Sequence, residues 1–165
     1  MKRTVRSRQL GQTILEVIIA TSVVGLVMTA VVAVVSVSLR NAARAKAKAV
    51  GTKYTQEGIE YFRAQRNLMG WESFLEEIQQ SGVFSTFCLA SLPYATNGGL
   101  GSVPERPCTT NEFVDEDDIY QREAEVTITN VSGQNIVTVT VNTTWIDSGR
   151  TATSNATIEM QQSQN

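Results

Sequence analysis

From Val17 to Leu39 the chain runs for 23 residues without a charged side chain, built mostly from Val, Ile, Leu and Ala. As an α-helix that run reaches about 34 Å, enough to cross the hydrocarbon core of a bilayer. A buried helix of a soluble domain is the alternative, but such helices seldom stay apolar around their whole circumference for six turns. The run therefore predicts a membrane helix. A secretory signal peptide fits less well, because the apolar stretch exceeds the roughly 7–15 residues of a signal core and its small-x-small triplets lie inside or beyond a segment long enough to anchor the chain.

Charge is segregated around this segment. Of 165 residues, 18% are charged and the formal net charge is only -2. Residues 1–11 carry Lys2, Arg3, Arg6 and Arg8 with no acid, residues 40–53 carry Arg40, Arg44, Lys46, Lys48 and Lys53, and residues 54–165 sum to -10. A basic neck thus precedes an acidic head, and such a head repels phosphate, so nucleic acid is not an expected partner. With +4 on one flank and +5 on the other, the positive-inside rule does not choose an orientation.

The chain has no histidine, which removes Ser-His and Cys-His dyads and His-ligated zinc. No nucleophile elbow or metal-ligand spacing takes their place, so an enzyme is not expected and no cofactor is implied. Cys88 and Cys108, the only cysteines, lie in the head. They read either as a disulfide closing a loop in an oxidising compartment or as two buried thiols. The run Asp115-Glu116-Asp117-Asp118 lacks the alternating carboxylates that wrap calcium and reads as a solvated acidic loop, or as a surface that docks on a neighbour's basic neck.

Glu16 opens the apolar run, where a carboxylate is costly unless it is paired or rides at the lipid interface, helped there by the dipole of a helix N-terminus. The string around it, Leu10-Gly11-Gln12-Thr13-Ile14-Leu15-Glu16-Val17-Ile18-Ile19-Ala20, resembles the class III signal sequence of type IV pilins and type II secretion pseudopilins. In that family a basic leader ends in glycine and a glutamate stands fifth after the cut. The resemblance implies cleavage between Gly11 and Gln12 by a prepilin peptidase, with Gln12 as the candidate for N-methylation. It also implies that Glu16 serves filament assembly by pairing with the new amine of a neighbouring subunit. The family's usual first mature residue, phenylalanine, is replaced here by Gln12. Gly25 stands where many pilins carry a helix-loosening glycine, whereas Ala33 stands where many carry a helix-breaking proline.

Beyond Leu39 no proline occurs before Pro93, so the helix is expected to run on to about Arg66. Ala43, Ala47, Val50, Tyr54, Gly58 and Tyr61 recur at helical steps and predict an apolar stripe that needs a partner sheet. Gly51 and Gly58 cost about 1 kcal/mol each against alanine and mark points where the helix is able to bend. Trp71, Phe74, Leu75 and Ile78 predict a short second helix near 70–80, with core roles for the aromatics. Residues 81–120 contain Gly98, Gly99, Gly101 and all three prolines, and are expected to be irregular. Three alternating segments follow, separated by Ser132-Gly133 and Ser148-Gly149, and predict an antiparallel meander. Asn130, Asn142 and Asn155 begin Asn-x-Ser/Thr triplets to which no glycan is assigned. The Val-x-Val-x-Val-x-x-x-Trp pattern with its Gly-Arg turn resembles the end of minor pilins of the PilV kind.

The expected fold is α+β, a long N-terminal helix, transmembrane and then amphipathic, packed on a C-terminal antiparallel β-meander. Its segments are the leader (1–11), the transmembrane or filament-core helix (12–39), the amphipathic continuation (40–66), a short helix with the loop region (67–122), and the sheet (123–165). The resemblance implies a prepilin-like structural subunit of a type IV pilus or a type II secretion-like pseudopilus. Its partners would be the prepilin peptidase, other pilin subunits, the inner-membrane assembly platform and the lipid bilayer. It would be a single-pass protein of the cytoplasmic membrane with its N-terminus inside, passing to an extracellular or periplasmic filament. An uncleaved single-pass anchor displaying an extracytoplasmic binding domain is the competing reading.

Overall fold

The computed structural model describes residues 10–82, 84–92 and 99–162. The fold is α+β: α1 (Leu10–Met69), α2 (Trp71–Ser81), β1 (Phe84–Cys88), β2 (Gln121–Val131), β3 (Gln134–Asp147) and β4 (Arg150–Gln161). The four strands form one antiparallel sheet in the order β1-β2-β3-β4. The chain divides into two compact units, residues 1–44 and residues 45–165.

In the first unit α1 is helical through Gly25 and Ala33 alike. Every described side chain from Ile14 to Leu39 is exposed, Leu26 at 71% and Val34 at 69% among them. Its hydroxyls bond back to the helix: Thr21 Oγ1 donates to Val17 O (2.9 Å), Ser22 Oγ to Ile18 O (2.7 Å), and Ser36 Oγ to Val32 O (2.8 Å). These hydroxyls are thus satisfied within the helix, the condition for placing Ser and Thr in hydrocarbon. By length and composition this helix is a candidate membrane span. The expected leader, residues 1–11, lies outside the described residues up to position 9, and Leu10 and Gly11 are described only as helical backbone.

In the second unit α1 and α2 cover one face of the sheet. The core joins Ile59, Tyr61, Phe62, Phe74, Leu75, Ile78, Phe87, Leu89, Leu100, Val103, Ala124, Val126, Val137, Val139, Val141 and Met160. The buried stripe of α1 is centred on Gly51, Thr55, Gly58, Phe62 and Gln65, with Ala47, Val50 and Tyr54 half-buried on its flank and Ala43 exposed. The periodicity was right in spacing but displaced around the helix, because Thr55 and Gln65 are polar residues on the core side. The two glycines are close-packing points. A Cβ at Gly51 would lie 2.5 Å from Trp145 Cζ3, and one at Gly58 would lie 2.8 Å from Val141 Cγ1.

Helix α1 ends three residues beyond Arg66, where Gly70 takes φ 80, a left-handed conformation that suits glycine. Helix α2 buries Phe74, Leu75 and Ile78 as their spacing predicts. The two β-turns place Ser132 (φ 54) and Gly133 (φ 85), then Ser148 (φ 54) and Gly149 (φ 78), at their centres. Two consecutive left-handed residues match the twist of a tight hairpin.

The sheet differs from the expected meander in one respect. Phe84–Cys88 pairs with Thr127–Glu123 as a fourth strand, in a segment expected to be irregular. Five residues are too few for alternation to declare itself, and Phe87 is drawn in by burial against the core rather than by local propensity.

Candidate functional site

Two regions carry the candidate residues, and each belongs to its own unit. In the first, Glu16 lies on the exposed surface of α1 beside Leu15, Ile19 and Ala20. It forms no ion pair with a described residue, and the next basic residue along the helix is Arg40, about 36 Å away. Ringed by exposed Ile, Leu and Val, this carboxylate has no counter-charge within reach among the described residues. Gly11 and Gln12 fall in the α1 backbone, but their side chains lie outside the described residues.

In the second unit Cys88 and Cys108 are bonded to one another, with their Cα atoms 4.8 Å apart. This settles the choice between a bridge and two buried thiols. Glu112 approaches the same sulfurs, its Oε2 3.7 Å from Cys88 Sγ. The trio has the proximity of a metal cluster, but sulfurs joined to each other offer no thiolate to a cation.

Glu112 instead organises its own loop. Arg106 Nη1 and Nη2 donate to its two oxygens, both at 2.6 Å, and Thr109 donates from its backbone N–H (2.7 Å) and its Oγ1 (3.0 Å). These bonds, the guanidinium first, hold the carboxyl down to about 2. Cys108 N–H donates to Glu123 Oε1 (2.7 Å) and ties this loop to β2.

The deepest polar feature is Arg122 on β2, 2% exposed. Its Nε and Nη2 donate to Leu89 O (3.1 and 2.9 Å) and its Nη1 to Tyr54 O (2.8 Å), with Glu57 Oε2 3.5 Å away. Burial lowers its pKa, and the Glu57 charge opposes that shift. Every contact is to backbone or to Glu57, so the guanidinium is a structural tie. The Tyr120 hydroxyl donates to Ala47 O (3.0 Å), while its ring meets those of Tyr54 and Trp145 at 5.3 and 5.6 Å.

The acidic run forms a turn. Asp115 Oδ1 accepts from the N–H groups of Ile119 (3.1 Å) and Tyr120 (3.0 Å), and Asp118 takes φ 53. One carboxylate is therefore engaged as a backbone cap.

Arg106, Glu112 and Arg122 were not singled out by motif. Arg122 carried a signal all the same, since it shares the parity of Ala124, Val126 and Ile128 and so falls on the buried face of the strand. No protein-family model matches the chain, and neither a curated protein nor a solved structure matches it significantly.

Proposed function

We propose that this chain is a prepilin-like structural subunit of a type IV pilus or a type II secretion-like pseudopilus, cut after Gly11 and assembled through its apolar helix. The observation that carries the reading is Glu16, a single carboxylate without a partner among the described residues, in a helix that is exposed and otherwise uncharged from Ile14 to Leu39. In hydrocarbon that charge needs a counter-charge from another chain. A free α-amino group at Gln12 of a neighbouring copy supplies one. Apolar helices then exchange lipid for one another, and the Glu16–amine pair selects one axial register among the many that apolar packing alone allows.

The rest of the chain serves this role as scaffold. The second unit is a clamped α+β head whose disulfide suits an oxidising compartment, which supports an orientation with the N-terminus in the cytoplasm and the head outside. The partners on this reading are the prepilin peptidase, other pilin subunits, the assembly platform of the inner membrane, and lipid. Its work is mechanical and not enzymatic.

Co-expression with a prepilin peptidase tests the proposal. Gly11→Ala is expected to block processing, whereas Glu16→Ala is expected to be processed and yet excluded from sheared filaments. Normal incorporation of Glu16→Ala would overturn the role given to Glu16, and a wild-type chain that is neither processed nor found in filaments would leave the competing reading, an anchored binding domain, as the better one.

A further inference from the structure

Cys88 Sγ, Cys108 Sγ and a Glu112 carboxylate oxygen lie within 4.8 Å of one another. Each is anchored by hydrogen bonds of its own. Cys88 stands in β1 opposite Glu123, and its N–H donates to Pro104 O at 2.9 Å. Cys108 is tied through its N–H to Glu123 Oε1 at 2.7 Å. Glu112 is held by Arg106 and Thr109. None of these anchors passes through the sulfur–sulfur bond.

The spacing suits a tetrahedral cation. Zinc holds sulfur at about 2.3 Å and carboxylate oxygen at about 2.0–2.2 Å, which sets a sulfur–oxygen pair about 3.5 Å apart and a sulfur–sulfur pair about 3.8 Å apart. Glu112 Oε2 already stands 3.7 Å from Cys88 Sγ. With their Cα atoms 4.8 Å apart, two free sulfurs reach their spacing by side-chain rotation alone. Cys88 is buried, whereas Cys108 and Glu112 are half-buried and give the point an opening to solvent.

We propose that in reducing surroundings Cys88, Cys108 and Glu112 bind one thiophilic divalent cation of the zinc class, which replaces the disulfide as the clamp across residues 88–108. A dithiol reductant supplies two electrons and two protons: the sulfur–sulfur bond breaks, two thiols form, and the reductant closes its own disulfide. The cation then displaces both thiol protons and forms two metal–sulfur bonds. At Glu112 Oε2 it displaces the longest hydrogen bond, that from Thr109 Oγ1 at 3.0 Å. The bonds from Arg106 remain as the outer support that ligating carboxylates carry, and water completes the four ligands. Two thiolates and a carboxylate exceed the cation by one negative charge, which the Arg106 guanidinium balances. Nothing in this chemistry depends on cleavage at Gly11.

The test uses the full chain in detergent micelles, Co2+ as the probe, and a phosphine reductant, which ends as its oxide with oxygen from water and offers the metal no thiol. The reduced chain is expected to bind one Co2+ with thiolate-to-cobalt charge-transfer absorption, and Zn2+ to displace it, as the order of divalent affinities requires. Without reductant no such absorption is expected. Glu112→Gln, which keeps both cysteines, is expected to bind Co2+ at least about tenfold more weakly when reduced. Saturating Zn2+ is expected to slow proteolysis between the two cysteines of the reduced chain by about tenfold or more. Absence of the absorption from the reduced wild type would overturn the proposal. So would equal affinity in Glu112→Gln, the same absorption without reductant, Co2+ that Zn2+ does not displace, or proteolysis that Zn2+ leaves unchanged.

Discussion

Arg122 reaches from the second strand of the sheet to the long helix and donates from Nη1 to the backbone carbonyl of Tyr54 at 2.8 Å. With its other nitrogens on Leu89 O, this side chain joins helix, sheet and the segment after β1 at one buried point. Replacing it leaves the buried Leu89 O without its side-chain donors, at about 1–3 kcal/mol, and takes one bond from Tyr54 O, which also accepts within α1. Arg122→Met is therefore expected to lower stability by about 3 kcal/mol, read from urea unfolding followed by tryptophan fluorescence. A change below about 0.5 kcal/mol would show that the tie contributes little.

Gly51 and Gly58 let the helix approach the sheet closely. Alanine at either position gains helix propensity, about 1 kcal/mol, but must displace Trp145 or Val141, and overpacking costs about 1–3 kcal/mol. Gly58→Ala is expected to be destabilising on balance, whereas Gly25→Ala, whose Cβ would meet nothing within 4 Å, is expected to leave the head unchanged. Thermal unfolding of the two variants makes the comparison, and equal melting temperatures would contradict it.

The Cys88–Cys108 bridge closes a loop of sequence separation 20. On the loop-entropy account its removal costs about 3 kcal/mol. Cys88→Ser/Cys108→Ser is expected to lower the urea midpoint, and faster proteolysis between the two positions should accompany it.

Acid weakens the Glu112 clamp. Its folded pKa, about 2, lies below the ordinary carboxylate value of 4.5, so the folded state binds this proton less readily than the unfolded chain does. The contribution is in place above about 4.5 and is lost as pH falls towards 2. Because the pair is exposed and screened, the effect is expected in local loop protection more than in global stability. Hydrogen exchange of residues 106–112 between pH 5 and pH 2.5, with Glu112→Gln as control, reads it. Loss of protection in the wild type alone is the expected result, and equal pH dependence in both chains would contradict it.

Much of this fold was legible because its elements are long. The helix announced itself through 23 uncharged residues and the absence of proline, and the meander through two Ser-Gly turns between alternating segments. What could not be read depended on contacts far apart in sequence. β1 is defined by its pairing with residues 123–127, and the core-side positions of Thr55 and Gln65 are polar residues accepted by a tertiary environment. Thr55, for instance, donates to Thr143 Oγ1 at 2.9 Å across the helix–sheet interface. At the candidate site Glu16 was legible from its charge alone, because nothing else in the apolar run competes with it. The Arg106–Glu112 clamp was hidden, since a pair six residues apart in an irregular segment follows no periodic rule.

The N-terminal mass of the chain extracted from membranes of cells that contain a prepilin peptidase tests the account most directly. A polypeptide that begins at Gln12, with the amine bared or N-methylated, is the result the account predicts. A chain that still begins at Met1 under those conditions would contradict it, because Glu16 would then have no neighbouring amine to meet.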